Sequence, residues 1–406
     1  MVELQDRLFA ALRESGMPDV PERFSVAALH QEIPRAILAG IDTFIRVFDG
    51  VTTRPAWQQT VTASSPEIVR LQRSEVCFFS AWDFHIPREQ PERWQLIECN
   101  DNGSGFVFAA LVNRLYYEIS AVGQRRGIES PLPFSLFAQR VTDMISREGR
   151  EFFGVPPQGM LLILDDTPSL QTGKFRHELI LLRDLCRRAG WTADVGSPAE
   201  THWDGRRLLC HGERVAFVVN RSTEFFWQAG DFSSLRAAYA DGSVYVAPNP
   251  FTYATRSDKR LLEFLSSPAW DSELGIQPQE RAVLSAHVPE TYLLRSETVE
   301  DLARRKDEFV FKPSQGFASH GLLTSAQVGR TRLRRLLRKG EPYVAQRRGP
   351  KFRLEMGEPE GVGLWADLRV WAYRGERFLL SGRASRRPDT LDLSPPGGWL
   401  PTYAQQ

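Results

Sequence analysis

Apolar residues in "PRAILAGIDTFIRVF" return every three or four positions, putting Ile37, Leu38, Ile41, Phe44, Ile45 and Phe48 on one stripe of a helix. "FVFAALVNRLYYEIS", from Phe106, predicts a second helix, and residues 1 to about 150 read as mainly helical. The runs "EVCFFSAWDF" and "RWQLIECN" between them are short and strand-like. The polar, proline-containing "HIPREQPER" that separates them allows two adjacent antiparallel strands.

A new unit begins near Gly159. "GMLLILDD" is a short apolar strand ending in acids, "KFRHELILLRDLCRRAG" an amphipathic helix closed by Gly190, and "WTADVG" a second strand, which together predict a βαβ unit with a parallel pair. "RRLLCHGERVAFVVNR" and "GSVYVAPNP" supply further strands before the helix "SDKRLLEFL". No G-x-G-x-x-G follows the first strand, so this Rossmann-like unit gives little support for a dinucleotide. From about residue 280 the pattern is strand-rich: "EFVFKP", the glycine-containing "SQGFASHG", "LLTSAQ" as strand into helix, "PYVAQRR", and a hairpin "LWADLRVWAYRGERFLLSGRAS" turned at Arg374-Gly375. Strands with few intervening helices predict a mostly antiparallel sheet there.

Composition narrows the class. The 406 residues are 42% hydrophobic and 25% charged, enough for two or three packed units. Lys and Arg total 51 against 50 Asp and Glu, a net charge of +1 that gives no electrostatic case for nucleic acid or an acidic membrane. The basic run "RTRLRRLLRKG" has leucines at helical spacing and reads as a solvated helix face. Cys77, Cys99, Cys186 and Cys210 show no C-x-x-C spacing, which disfavours a zinc site or disulfide framework and fits a reducing cytoplasm. The amphipathic N-terminus lacks the apolar core of a signal peptide, and no stretch is long and apolar enough to span a membrane.

Three constellations carry chemistry. In "IECN", Glu98 and Asn100 share one face of a strand while Cys99 faces the other way, and Asp83 lies 15 residues before Glu98 (98 − 83). Carboxylate and amide oxygens of this kind suit Mg²⁺, which takes few protein ligands plus substrate phosphates; polar tips on a surface hairpin are the bland alternative. The following "DNGSG" can adopt positive φ and offer backbone amides to an anion. In "FVFKPSQGFASHG", Lys312 ends a strand ahead of Gly316, Ser319 and Gly321, a workable phosphate grip that is not a P-loop. In the hairpin, Asp367 and Arg369 share a face, as do Arg383 and Ser385, which fits equally a salt-bridge ladder. The adjacent Ser319-His320 face opposite ways without G-x-S-x-G, so a serine hydrolase is disfavoured.

Together "SDKRLLEFL", "VPETYLL", "EFVFKPSQGFASHGLL", "PYVAQR", "ADLRVWAYRGE" and "SGRAS" resemble, in order and spacing, the ATP-grasp superfamily across roughly residues 240 to 390. That family's two phosphate-contacting lysines match Lys259 and Lys312, and its strand into the adenine pocket matches "YVAQRR" with Gln346. Its metal triad, an Asp followed by Glu-x-Asn, normally lies near the C-terminus; here it matches Asp83, Glu98 and Asn100 at the front. That order is similar to circularly permuted ATP-grasp proteins such as glutathionylspermidine synthetase, without the Cys/His amidase domain of its bifunctional forms.

The resemblance implies an α/β (α+β) fold. Residues 1–155 would form a helical and metal-binding part of the ATP-grasp core, 156–255 a Rossmann-like pre-ATP-grasp unit, and 256–406 an antiparallel nucleotide-binding lobe. It further implies an ADP-forming carboxylate-amine ligase using ATP and Mg²⁺ through an acyl phosphate. Asp83, Glu98 and Asn100 would hold the metal. Lys259, Lys312, Gly316, Ser319, Gly321 and Gln346 would hold ATP, and Arg383 and Arg369 the transferring group. Partners would be small-molecule or peptide carboxylates and amines, with room for a homo-oligomer. A phosphotransferase and a non-catalytic ATP-binding protein of the same fold stay open.

Overall fold

The computed structural model describes residues 2–22, 24–71, 75, 79–316, 321–355, 363–388 and 393–406. Its largest antiparallel sheet runs in the order Gly398–Leu400, Glu376–Ser385, Gly363–Tyr373, Ser80–His85, Gln95–Asn100, with Phe352–Glu355 also paired to Gly363–Tyr373. Trp82 and Phe84 alternate with Asp83 and His85, and Leu368 and Val370 alternate with Asp367 and Arg369, so the pleat sorts apolar from charged side chains. The apolar set packs beneath helix Arg35–Thr52, whose stripe from Ile37 to Phe48 is buried as its spacing predicts. Cys99 joins that core, on the far side of its strand from the Glu98 and Asn100 face.

The sheet is assembled from opposite ends of the chain. Arg369 is the register partner of Asp83 on one side and of Ser381 on the other. The predicted hairpin forms, with Arg374 and Gly375 both left-handed (φ 49° and 77°), the turn that matches strand twist. Two residues along from the charged positions, Ala81 and Trp371 lie in a second core with Phe106, Phe108 and Leu111 of helix Phe106–Ile119. The charged face is therefore closed at one end by packing.

"DNGSG" forms the turn into that helix. At Gly103 (φ 61°) a Cβ would lie 1.7 Å from the Phe79 carbonyl oxygen, and at Gly105 (φ 93°) 2.4 Å from the Trp399 ring, so neither position accepts a side chain. The loop amides do meet an anion, but it is internal. Gly105 and Val107 each donate to the Glu178 carboxylate at 2.9 Å, and Arg221 Nη2 approaches it at 3.4 Å. The expectation that these amides stand open to a ligand is corrected accordingly.

Glu178 lies on helix Arg176–Arg188, within a unit built on parallel strands ordered Ala193–Gly196, Met160–Leu164, Glu213–Asn220 and Tyr245–Ala247. The βαβ unit read from the sequence is present, and Leu208–Cys210 and Thr201–Trp203 extend the sheet in antiparallel fashion. A third, antiparallel sheet runs Thr291–Leu293, Tyr343–Arg347, Phe309–Pro313, backed by the basic helix Arg330–Lys339 through Leu333 and Leu336. Gln31–Ile33 pairs in parallel with Thr402–Ala404. Among the described residues no helix is long and apolar enough to cross a membrane.

Replacing Glu178 by Ala removes the acceptor of two helix-start amides and leaves the Arg221 guanidinium buried without its anion. A loss of about 3–5 kcal/mol is expected, measured as a lower urea midpoint at unchanged slope. A midpoint within error of the wild type would show the cap to be dispensable.

Candidate functional site

The charged face of the large sheet holds two neighbouring cross-strand rows. Asp83 stands opposite Glu98 on one neighbour and Arg369 on the other, and Asp367 stands opposite Arg383. Fully buried Asp83 accepts from Arg369 Nε at 2.6 Å and Nη2 at 2.7 Å, a bidentate pair, and forms an ion pair with Arg383 Nη2 at 2.8 Å. Arg383 also donates to Asp367 through Nε at 3.2 Å and Nη2 at 2.5 Å. The hairpin ladder considered from the sequence is real in this pair, but it is buried and reaches a third strand.

Glu98 continues the first row. Its carboxylate accepts from Asn100 Nδ2 at 3.1 Å and meets Lys259 Nζ at 3.1 Å. Lys259 comes from a segment in which a π-helical turn, Tyr253–Ser257, precedes helix Leu261–Ser266. The same turn is tied to the end of strand Gln95–Asn100, since the Asp101 amide donates to Ser257 Oγ at 2.8 Å. Lys259 Nζ also donates to the Gly316 carbonyl at 2.6 Å, at the start of the glycine loop.

Lys312 reaches the same place from the three-stranded sheet. Its Nζ donates to Gln346 Oε1 at 2.6 Å, and Gln346 Nε2 donates to the Ile97 carbonyl at 3.1 Å, so one glutamine bridges two sheets. The structure thus brings Asp83, Glu98, Asn100, Lys259, Lys312, Gly316, Gln346, Arg369 and Arg383 into one linked network. Gly321 (φ 74°) packs against Pro313, and its carbonyl accepts from Tyr343 Oη at 3.1 Å. Ser319 lies outside the described residues. Gln346, expected beside a base, has its amide committed to Lys312 and Ile97.

Electrostatics follow from this packing. Burial works against the charge on Glu98, but Lys259, Lys312 and the Asn100 amide outweigh it and hold the carboxyl well below the usual range. Burial pushes Lys312 down to about 8, with Glu98 opposing the shift and Lys259 assisting it. Burial, opposed by Arg383 and reinforced by Asp83, raises Asp367. His85, on the Asp83 face, is pushed down to about 3 by burial and by Lys351, Lys312 and Arg383, so it is a neutral ring in a cationic setting.

From sequence, His85 is set aside with the other histidines, and Asp367 reads only as part of the hairpin's charged face. The signal for His85 was available, since it lies two residues beyond Asp83 on a strand, but no metal-type histidine spacing drew attention to it. A small recess is lined by Glu98, Lys259 and Leu262.

Comparison with protein-family models and with curated protein sequences gives no match. Among solved structures, a glutathione synthetase-like effector (GSS30) from Globodera pallida, in its apo form, superposes with a TM-score of 0.60 at 11% identity, covering 99% of this chain and 96% of that one. A protein titled "Putative gamma-glutamylcysteine synthetase" from Methylobacillus flagellatus KT gives a TM-score of 0.46 at 12% identity over 90% of this chain and 87% of that one. The first likeness extends over nearly the whole length of both chains, and it establishes that this chain has the fold of a glutathione synthetase-like protein.

Proposed function

We propose that this protein is an ATP-dependent carboxylate-amine or peptide ligase of the ATP-grasp type, circularly permuted, forming ADP through an acyl phosphate. The observation that carries the reading is the convergence of Glu98 and Asn100, from the front of the chain, on Lys259 and Lys312, from the rear. An exposed hairpin tip would not bring two lysines onto one carboxylate. The likeness to a glutathione synthetase-like fold supports a synthetase reading.

Lys259 and Lys312 would hold ATP phosphates as point charges. Arg369 and Arg383, whose planar forks suit phosphate and carboxylate oxygens, would hold the transferring phosphoryl group and the attacking acid. The acid oxygen attacks the γ-phosphorus, the bond to the β-phosphate oxygen breaks, and ADP leaves. An amine then attacks the acyl carbon, phosphate departs, and the amine loses a proton to give the amide. His85, neutral at physiological pH, would offer an unprotonated ring nitrogen within the cationic group.

The donor chemistry of Asp83, Glu98 and Asn100 fits a hard divalent cation: two carboxylates face each other in register, one is held ionised, and an amide lies beside it. When bound, Mg²⁺ supplies charge neutralisation on phosphate oxygens. Because Asp83 and Glu98 now accept from the chain's own cations, a metal enters by displacing them.

Glu98→Gln is expected to abolish Mg²⁺-dependent ADP release, screened against amino acids, peptides and polyamines, while circular dichroism stays native. Near-normal turnover would remove the metal assignment. A wild-type protein that binds ATP yet releases no ADP with any acid and amine pool would favour the non-catalytic reading.

Lys312 carries its charge below about pH 8 and loses it above. Nucleotide affinity, followed by calorimetry at constant Mg²⁺, is therefore expected to fall as pH rises through about 8. In Lys312→Ala the affinity should drop by about tenfold or more, the equivalent of ~1.4 kcal/mol, and this alkaline limb should vanish. An unchanged limb in the variant would assign it to another group.

A further inference from the structure

Asp83 is shared by both site arginines, taking Arg369 through Nε and Nη2 and Arg383 through Nη2. Each arginine also has an acceptor independent of Asp83. Arg369 Nη1 donates to the Ser104 carbonyl at 3.3 Å. Arg383 donates to both oxygens of Asp367, at 3.2 and 2.5 Å, and this pair is fixed by its opposed register in the hairpin.

These second acceptors determine the fate of the arginines if Asp83 is drawn elsewhere. A buried guanidinium that loses its only anion is strongly destabilised. Here Arg383 keeps a full carboxylate, while Arg369 gives up its carboxylate and keeps the Ser104 carbonyl, so Arg369 is the one left seeking an anion. Asp83 is also the acid in register with Glu98, so it is placed to turn from the arginines toward a cation between the two.

We propose that Asp83 is an exchangeable acceptor and Asp367 a positioning residue. A divalent cation at Glu98 takes Asp83 from the arginines, and Asp367 and the Ser104 carbonyl keep those arginines in place. Their released N–H donors then turn to an anionic oxygen in the cleft. Around the arginines themselves, Asp83 and Asp367 balance Arg369 and Arg383 before the cation arrives; afterwards Asp83 is shared with the cation and the arginine pair carries an excess of positive charge. The site therefore becomes receptive to a phosphoryl or carboxylate group only once the cation is seated. This inference rests on the ligase reading for its cation.

The test uses the full chain with ¹⁵N-labelled arginine and Mg²⁺ alone, without nucleotide. The Nε–H signals of Arg369 and Arg383 are assigned from Arg369→Lys and Arg383→Lys, and Mg²⁺ binding is followed in parallel by calorimetry. In the wild type, Mg²⁺ is expected to shift the Arg369 signal, whose Nε bond to Asp83 is lost, and to leave that of Arg383, whose Nε bond is to Asp367. In Asp367→Asn the Arg383 Nε–H, which has lost its carboxylate partner, should exchange with solvent already before Mg²⁺ is added, and faster after it, when Asp83 no longer holds Nη2.

Binding of Mg²⁺ with an unmoved Arg369 signal, or loss of both signals together in the wild type, overturns the proposal and leaves the ligase reading standing. Absence of any Mg²⁺ binding to the wild type without nucleotide overturns this inference and leaves the ligase reading standing, since Mg²⁺ is commonly held by few protein ligands plus substrate phosphates; that reading falls only if no ADP is released. The wild-type comparison needs no substitution at Asp367, so the proposal stays open to refutation even if that variant does not fold.

Discussion

The bidentate bond between Arg369 and Asp83 is the interaction on which the molecule's organisation depends. It joins residues 286 positions apart in adjacent strands of one sheet, with Asp83 wholly inside and Arg369 nearly so. The pleat dictates the rest: once this register is set, Trp82, Phe84, Leu368 and Val370 all face helix Arg35–Thr52, and a slip of one residue would expose them all. Hydrophobic packing and charge pairing therefore select the same register, and the front and rear of the chain form one structure.

The parallel unit is bound to this sheet by polar as well as apolar contacts. Glu178 satisfies the first amides of helix Phe106–Ile119, and the same turn presents its carbonyls to the sheet, Ser104 to Arg369 and Gly103 to Trp371 Nε1 at 2.9 Å. One loop of five residues thus connects the anion from the parallel unit, the strand bearing Glu98 and Asn100, and the arginine-bearing rows. Its two tight glycines follow from that crowding, and an interior carboxylate fills the place an external anion would have taken.

Periodicity made much of this legible. Long stripes such as Ile37 to Phe48 and alternations such as Trp82 to His85 are dictated by local geometry, and so are the βαβ unit and the Arg374-Gly375 turn. The grouping of Asp83, Glu98 and Asn100 with Lys259, Lys312 and the arginines was legible through motif order, because each element carries its residue at a fixed face. Pairing was not. Nothing local says that Lys312 would meet Gln346, that Gln346 would reach Ile97, or that Glu178 would cap a helix 71 residues upstream of it; these depend on which sheets pack together. Gln31–Ile33 was missed because its partner Thr402–Ala404 lies at the other end of the chain.

A network whose acids and bases satisfy one another has a consequence for any ligand it takes. Open cationic sites gain the full Coulomb energy of an arriving anion, whereas here each phosphate, carboxylate or cation exchanges an internal partner for an external one. Net affinity is then the small difference between two sets of charge-assisted bonds, and it depends on which of them retain a partner after the exchange. Lys259 illustrates the point: it can release Glu98 and still hold the Gly316 carbonyl, as Arg383 can release Asp83 and still hold Asp367. Second acceptors at Lys259, Arg369 and Arg383 make exchange feasible in a buried site, because each of these cations keeps a hydrogen-bond partner when Asp83 or Glu98 is released.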